Sequence, residues 1–149
     1  MLLIKDGRLC VAGVSFGFPN GLYLDTLAEV ENPNGIELKN ESEKVTVDVY
    51  AFNNQYSSKD SLERMLDDKE DGFNRLEEVA PVSINGLIGH SCRYKDKSCE
   101  YYEVIFDLAE NADNINAFSI CVHAEKDFGI EKALAIPAVK SLIGDIRKD

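Results

Sequence analysis

The chain has 149 residues, 44% hydrophobic and 29% charged, enough to bury a core without disulfide or metal staples, which excludes wholesale disorder. Its 27 acidic against 16 basic side chains leave a formal net charge of -11. Such a surface repels phosphate backbones and anionic lipid headgroups, so nucleic acid and membrane surfaces are excluded as natural partners and a basic or apolar protein segment is favoured.

At the N-terminus, Met1 to Gly7 holds too short an apolar run for a signal-peptide core and turns polar at once. Nowhere else do apolar residues run long enough to cross a bilayer, so the expectation is one cytoplasmic domain without membrane insertion. An extracytoplasmic lipoprotein domain separated from its leader would read the same way. Residues 9–18 read as a strand, with Val14, Phe16 and Phe18 on one buried face, ending at Pro19-Asn20-Gly21. Residues 22–30 and 36–39 read as strands either side of Asn32-Pro33-Asn34-Gly35. In residues 44–52, Val45, Val47 and Val49 alternate with Thr46, Asp48 and Tyr50, the pattern of a half-buried strand.

Ser57 with Asp60 three residues on opens a helix, and Leu62, Met65 and Leu66 recur at helical spacing before Gly72. Residues 79–84 and 87–94 flank Asn85-Gly86, the strongest short hairpin signal, and 101–108 and 117–124 extend a meander. Pro137 suits a first helical position, and Val139, Leu142, Ile143 and Ile146 line one side of a closing helix. The order predicts an α+β fold: an antiparallel sheet of six or seven strands with a C-terminal meander, flanked by helices, and not the alternating βα layout of a nucleotide-binding sheet.

The turn at Phe16-Gly17-Phe18-Pro19-Asn20-Gly21, the Ile84-Asn85-Gly86-Leu87 turn, the Tyr101-Tyr102 strand and the closing helix over residues 139–146 together resemble the PsbP-like superfamily, which includes DcrB-like proteins and a Ran-binding nuclear import factor. The resemblance spans nearly the whole chain. It implies an α-β-α sandwich and noncatalytic work, since that family comprises assembly factors, adaptors and chaperones, and it brings no catalytic motif to carry over.

Read directly, the sequence holds no Walker loop, GxGxxG, GxSxG, HExxH or EF-hand loop, and it predicts no cofactor. His123-Ala124-Glu125 matches half of a deaminase signature without the Pro-Cys-x-x-Cys that would hold its zinc. Cys10, Cys92, Cys99 and Cys121 show neither CxxC pairs nor scaffold density, although Cys92 and Cys99 are placed to meet across a hairpin.

One constellation follows from strand parity. His90 and Cys92 share a face, as do Cys121 and His123, and Tyr101 and Glu103 join the latter pair. His90, Cys92, Glu103, Cys121 and His123 are thus candidate ligands for a metal, in a metal-binding protein or metal-assisted hydrolase, with Glu103 as the bridge across an intervening strand. The plainer alternative is semi-buried polar residues beneath the first helix. For a partner protein, the candidates are Asn53, Asn54 and Tyr56 in a polar loop, and Tyr101 on the sheet. A homodimer is the other form such an interaction would take.

Overall fold

In the computed structural model, which describes residues 2–24 and 34–149, pairs of neighbouring residues with positive φ cut the N-terminal segment into short strands. Asp6 and Gly7 (φ 53° and 75°) join β1 (Leu3–Lys5) to β2 (Arg8–Val11), and Ala12 and Gly13 (φ 52° and 79°) join β2 to β3 (Val14–Phe16). Two-residue turns with both φ positive match the twist of the strands they connect. The expected strand over 9–18 is therefore a hairpin. Val14 and Phe16 are buried as the alternation requires, but Phe18 lies beyond the strand and is 51% exposed.

The next short strand is β4 (Tyr23–Leu24), the described part of the one expected over 22–30; the remainder of that strand, with Asn32 and Pro33 of the following turn, lies outside the described residues. Then come β5 (Gly35–Lys39) and β6 (Val45–Phe52), whose Val45, Val47, Val49 and Ala51 are all buried. Helix α1 (Ser58–Asp67) is capped by Ser57, whose hydroxyl accepts from the Asp60 N–H at 3.2 Å. The meander follows as β7 (Asn74–Ile84), β8 (Leu87–Lys95), β9 (Cys99–Asp107) and β10 (Ala117–Glu125). Asn85 and Gly86 make its first turn with φ of 49° and 86°.

Two further elements escape a periodicity argument because they are too short to show a period: α2 (Ile130–Leu134) and β11 (Arg147–Lys148). Between them α3 (Pro137–Asp145) starts on its proline and buries Val139 and Leu142, with Ile146 buried at its end.

The described strands form two antiparallel sheets. The larger has the order β4-β5-β6-β10-β9-β8-β7, so the meander is closed by a long-range pairing of β10 with β6. The smaller, β1-β2-β3-β11, was not expected. One face of the seven-stranded sheet carries Val47, Val104, Phe106, Phe118 and Ile120 into a core shared with Val14 and Phe16 of the small sheet and with α2 and α3. Phe16 meets Phe118 edge-on at 6.3 Å between ring centroids. The opposite face is roofed in part by α1, where Leu62 and Leu66 pack on Cys92, Tyr94, Ile105 and Ala117. The protein is thus of the mixed α+β class, built on antiparallel sheets.

The chain end is fastened to this frame by polar side chains. Arg8 donates to both carboxylate oxygens and the main-chain oxygen of Asp145, Gly17 N–H donates to Asp145 Oδ2 at 2.7 Å, and the Asn85 amide donates to the carbonyls of Gly144 and Ile146 at 2.9 Å each. Among the described residues, no helix is long and apolar enough to cross a membrane.

Candidate functional site

Alternation along β6, β8, β9 and β10 places a set of polar side chains on the α1 side of the large sheet. The register arranges them in three rows. One row runs His90, Ile105, Ser119, Tyr50; the next Cys92, Glu103, Cys121, Asp48; the third Tyr94, Tyr101, His123, Thr46. The parity argument therefore holds for the shared face: His90, Cys92, Tyr101, Glu103, Cys121 and His123 all lie on it.

It does not bring the ligand candidates together. His90 pairs with Ile105 and His123 with Tyr101, so the two histidines are two strands apart and also four residues apart along β9, roughly 16 Å between backbones. Only Cys92, Glu103 and Cys121 share a row. Among the described residues, no group of three or more His, Cys, Asp or Glu side chains is gathered to hold a metal ion. Cys92 and Cys99 do not meet either: Cys92 faces Glu103, Cys99 faces Glu125, and all four thiols are free.

The middle row contains the most unusual group. Glu103 is only 8% exposed, and its carboxylate accepts from Tyr94 Oη at 2.7 Å. Burial raises its pKa above the ordinary carboxylate range, more than the Tyr94 hydrogen bond lowers it, and the Asp48 carboxylate adds to the rise. Its neighbours respond to the same burial and to the carboxyl itself. The Cys92 thiol and the Tyr50 hydroxyl are each pushed up to about 12, and the Cys121 thiol is raised well above its usual value. Burial likewise raises Cys10 and Cys99. A thiol reacts as its thiolate, so none of the four is primed as a nucleophile.

An aromatic row borders this network. The Tyr94 and Tyr101 rings stack at 4.7 Å, Tyr101 stacks on His123 at 5.8 Å, and Phe73 meets both tyrosines edge-on. His123 Nε2 lies 3.2 Å from Asp48 Oδ2, and Tyr101 Oη donates to Asp96. Asp48, Tyr50, Cys121 and His123 remain half-buried, on the part of the face that Leu62 and Leu66 do not roof.

At the other end of the face, Ser58, His90 and Asp107 have the composition of a hydrolytic triad but not its order. Ser58 Oγ donates to Asp107 Oδ2 at 2.5 Å, and His90 Nδ1 lies 2.8 Å from Ser58 Oγ. A hydroxyl has one proton, so Ser58 is an acceptor toward His90, and His90 carries its proton on Nδ1. The base needed to activate the serine is absent from the geometry. Ser58 is also fully buried, and its N–H donates to Asp107 Oδ1 at 2.9 Å, which makes Asp107 the anchor of the α1 N-terminus.

The polar loop candidates are mostly occupied internally. Asn53 donates to the Asn114 carbonyl; Asn54 and Asn116 exchange main-chain and side-chain hydrogen bonds at 2.7 and 2.9 Å; and Asn54 Oδ1 accepts from Ser61. These contacts join the loop before α1 to the one before β10. Tyr56 is exposed, with the Arg64 guanidinium 4.0 Å from its ring centre.

Sequence reading passed over Asp48, Tyr50, Tyr94 and Ser119. The alternation in β6 does place Asp48 and Tyr50 on the polar face, but their meeting with Cys121 and Ser119 depends on the β6–β10 pairing, which no local signal encodes.

No family model and no curated protein matches the chain. Among solved structures, a protein from Bacteroides thetaiotaomicron VPI-5482 is similar over 99% of this chain, at 14% identity and a TM-score of 0.49. The match covers 48% of that protein, so the chain spans about half its length.

Proposed function

We propose that this chain is a noncatalytic binding domain, an adaptor or chaperone-like protein, that engages a basic segment of a partner protein on the unroofed part of its polar sheet face. The observation that carries the reading is the half-buried pair Tyr101–His123 lying against the half-buried Asp48, with the buried Glu103 beneath, on a chain of net charge -11. Such a surface attracts cations by charge and by ring faces together.

Two features support binding over catalysis. Ser58 gives its proton to Asp107 and not to a base, and each cysteine thiol has a raised pKa. A second copy of the chain brings the same acidic face, so self-association through it is opposed by like charge, which favours a foreign partner over a homodimer. The PsbP-like resemblance implies the same kind of work.

Fluorescence anisotropy with Lys/Arg-rich and Asp/Glu-rich peptides of equal length tests this. Basic peptides should bind, and Asp48→Lys should weaken them by about tenfold, since a like charge now meets the ligand. Glu70→Lys, in the loop after α1, should have little effect. Equal binding of acidic peptides, or indifference to Asp48→Lys, would overturn the reading.

A further inference from the structure

The Asn85-Gly86 turn does more than join β7 to β8. Both residues are exposed, and their φ angles of 49° and 86° make a two-residue hairpin turn. The Asn85 side chain reaches the end of α3, where its amide donates to the carbonyls of Gly144 and Ile146 at 2.9 Å each. A helix end leaves such carbonyls without partners of its own. Between them, Asp145 is held by Arg8 and by the Gly17 N–H. The chain then runs through the buried Ile146 into β11, which pairs with β3, and the Asp149 N–H donates to the Gly13 carbonyl at 2.8 Å. One amide therefore shares with Asp145 the fastening of the last turn of α3 and of β11.

That amide can be converted chemically because a glycine follows it. The Gly86 nitrogen attacks the Asn85 side-chain carbonyl carbon, and the new N–C bond closes a five-membered imide. The Cγ–Nδ2 bond breaks, ammonia leaves with the Gly86 proton, and water opens the ring to aspartate or to β-linked isoaspartate. No oxidant or reductant takes part. Glycine leaves its nitrogen open to this attack, since nothing lies within 4 Å of where a Cβ on Gly86 would stand. In the closed state two hydrogen bonds hold the amide on the helix end, so attack requires that contact to open first.

We propose that Asn85 is a one-way latch on the C-terminal end of the fold: closed, its amide fastens α3; once opened, it deamidates and the fastening does not re-form. The irreversibility follows from the donors. The amide brings N–H groups to two carbonyls, whereas the carboxylate that replaces it brings none and sets its charge against two acceptor oxygens. The isoaspartate form also lengthens the main chain inside a turn whose length sets the register of β7 on β8. Release frees β11 from β3 and opens the β3 edge of the small sheet. Molecules that have opened once thus carry a loose chain end thereafter. Asn20-Gly21 is the same dipeptide without the latch: Asn20 is exposed, and no hydrogen bond holds its amide among the described residues.

The test is peptide mapping by mass spectrometry of the whole chain aged at mildly alkaline pH, with conversion of Asn85 measured against that of Asn20. Hydrogen exchange at the Asp149 N–H reads release. Asn85 should lag Asn20 in the wild type. Asp145→Ala, which loosens the same helix end without touching the hairpin, should speed Asn85 by at least about fivefold and leave Asn20 unchanged. Asn85→Asp, which stands for the product, should speed exchange at Asp149. If Asp145→Ala does not fold, urea below the unfolding transition takes its place and should raise the Asn85 rate relative to that of Asn20. The latch is overturned if Asn85 converts as fast as Asn20, if it stays intact after Asn20 is consumed, or if its rate ignores the loosened end. Exchange at Asp149 that is the same in Asn85→Asp as in the wild type overturns it as well.

Discussion

Ser58 and Asp107 are joined twice: the carboxylate accepts the serine's N–H at 2.9 Å and its hydroxyl at 2.5 Å, so one residue at the end of β9 satisfies both polar groups at the first position of α1. Removing the acceptor strands both buried donors of Ser58, whereas removing the serine side chain strands only the Nδ1 proton of the half-buried His90. Asp107→Ala should cost roughly 2–3 kcal/mol and Ser58→Ala about 1 kcal/mol, measured by urea unfolding. Imidazole ¹⁵N shifts should show His90 protonated at Nδ1; a proton on Nε2 alone would contradict the hydrogen-bond order.

Glu103 makes stability depend on pH in the direction opposite to that of an ion-paired carboxylate. Its folded pKa lies above the ordinary 4.5, so the folded state binds the proton more tightly. The stabilisation is fully present below the unfolded value and is lost as pH rises through the folded one. Melting temperature should thus decline as pH rises above the ordinary carboxylate range in the wild type, and decline less in Glu103→Gln, which keeps an acceptor for Tyr94 without an ionisable group. Tyr94→Phe should cost about 1–3 kcal/mol by leaving the carboxyl without its donor.

Asp145 behaves in the ordinary sense. The Gly17 N–H first, then the Arg8 guanidinium, hold its carboxyl below the usual 3.8. Its contribution is present at neutral pH and is lost as pH falls through the folded value. Asp145→Asn should flatten the acid limb of the stability curve. The loss at neutral pH should be about 1 kcal/mol, the low end for a charged hydrogen bond, because the carboxylate is 42% exposed and screened.

Gly89 and Gly72 should respond very differently to alanine. A Cβ on Gly89 would sit 1.9 Å from the Ile105 carbonyl oxygen, a clash between paired strands that neither backbone can yield to without breaking the ladder. Gly89→Ala should cost more than about 3 kcal/mol or prevent folding. At Gly72, with φ of 67° and nothing within 4 Å, only the left-handed backbone resists a side chain, and about 1 kcal/mol is expected from thermal unfolding.

The sequence by itself determined the elements whose signals are local. The alternation of Val45, Val47 and Val49, the Ser57 cap, the Asn85-Gly86 turn and Pro137 each act over a few residues, and each lies where local chemistry puts it. Parity alone also placed His90, Cys92, Glu103, Cys121 and His123 on one face, because a strand's period of two is a property of the backbone. Tertiary structure decided what those residues meet. The register of β8, β9 and β10 sets His90 and His123 four residues apart as well as two strands apart, and only the β6–β10 pairing brings Asp48 and Tyr50 beside Cys121, Ser119 and Glu103. Register and long-range pairing arise from packing the whole core at once, and so the shared face was legible in the sequence while the contacts across it were not.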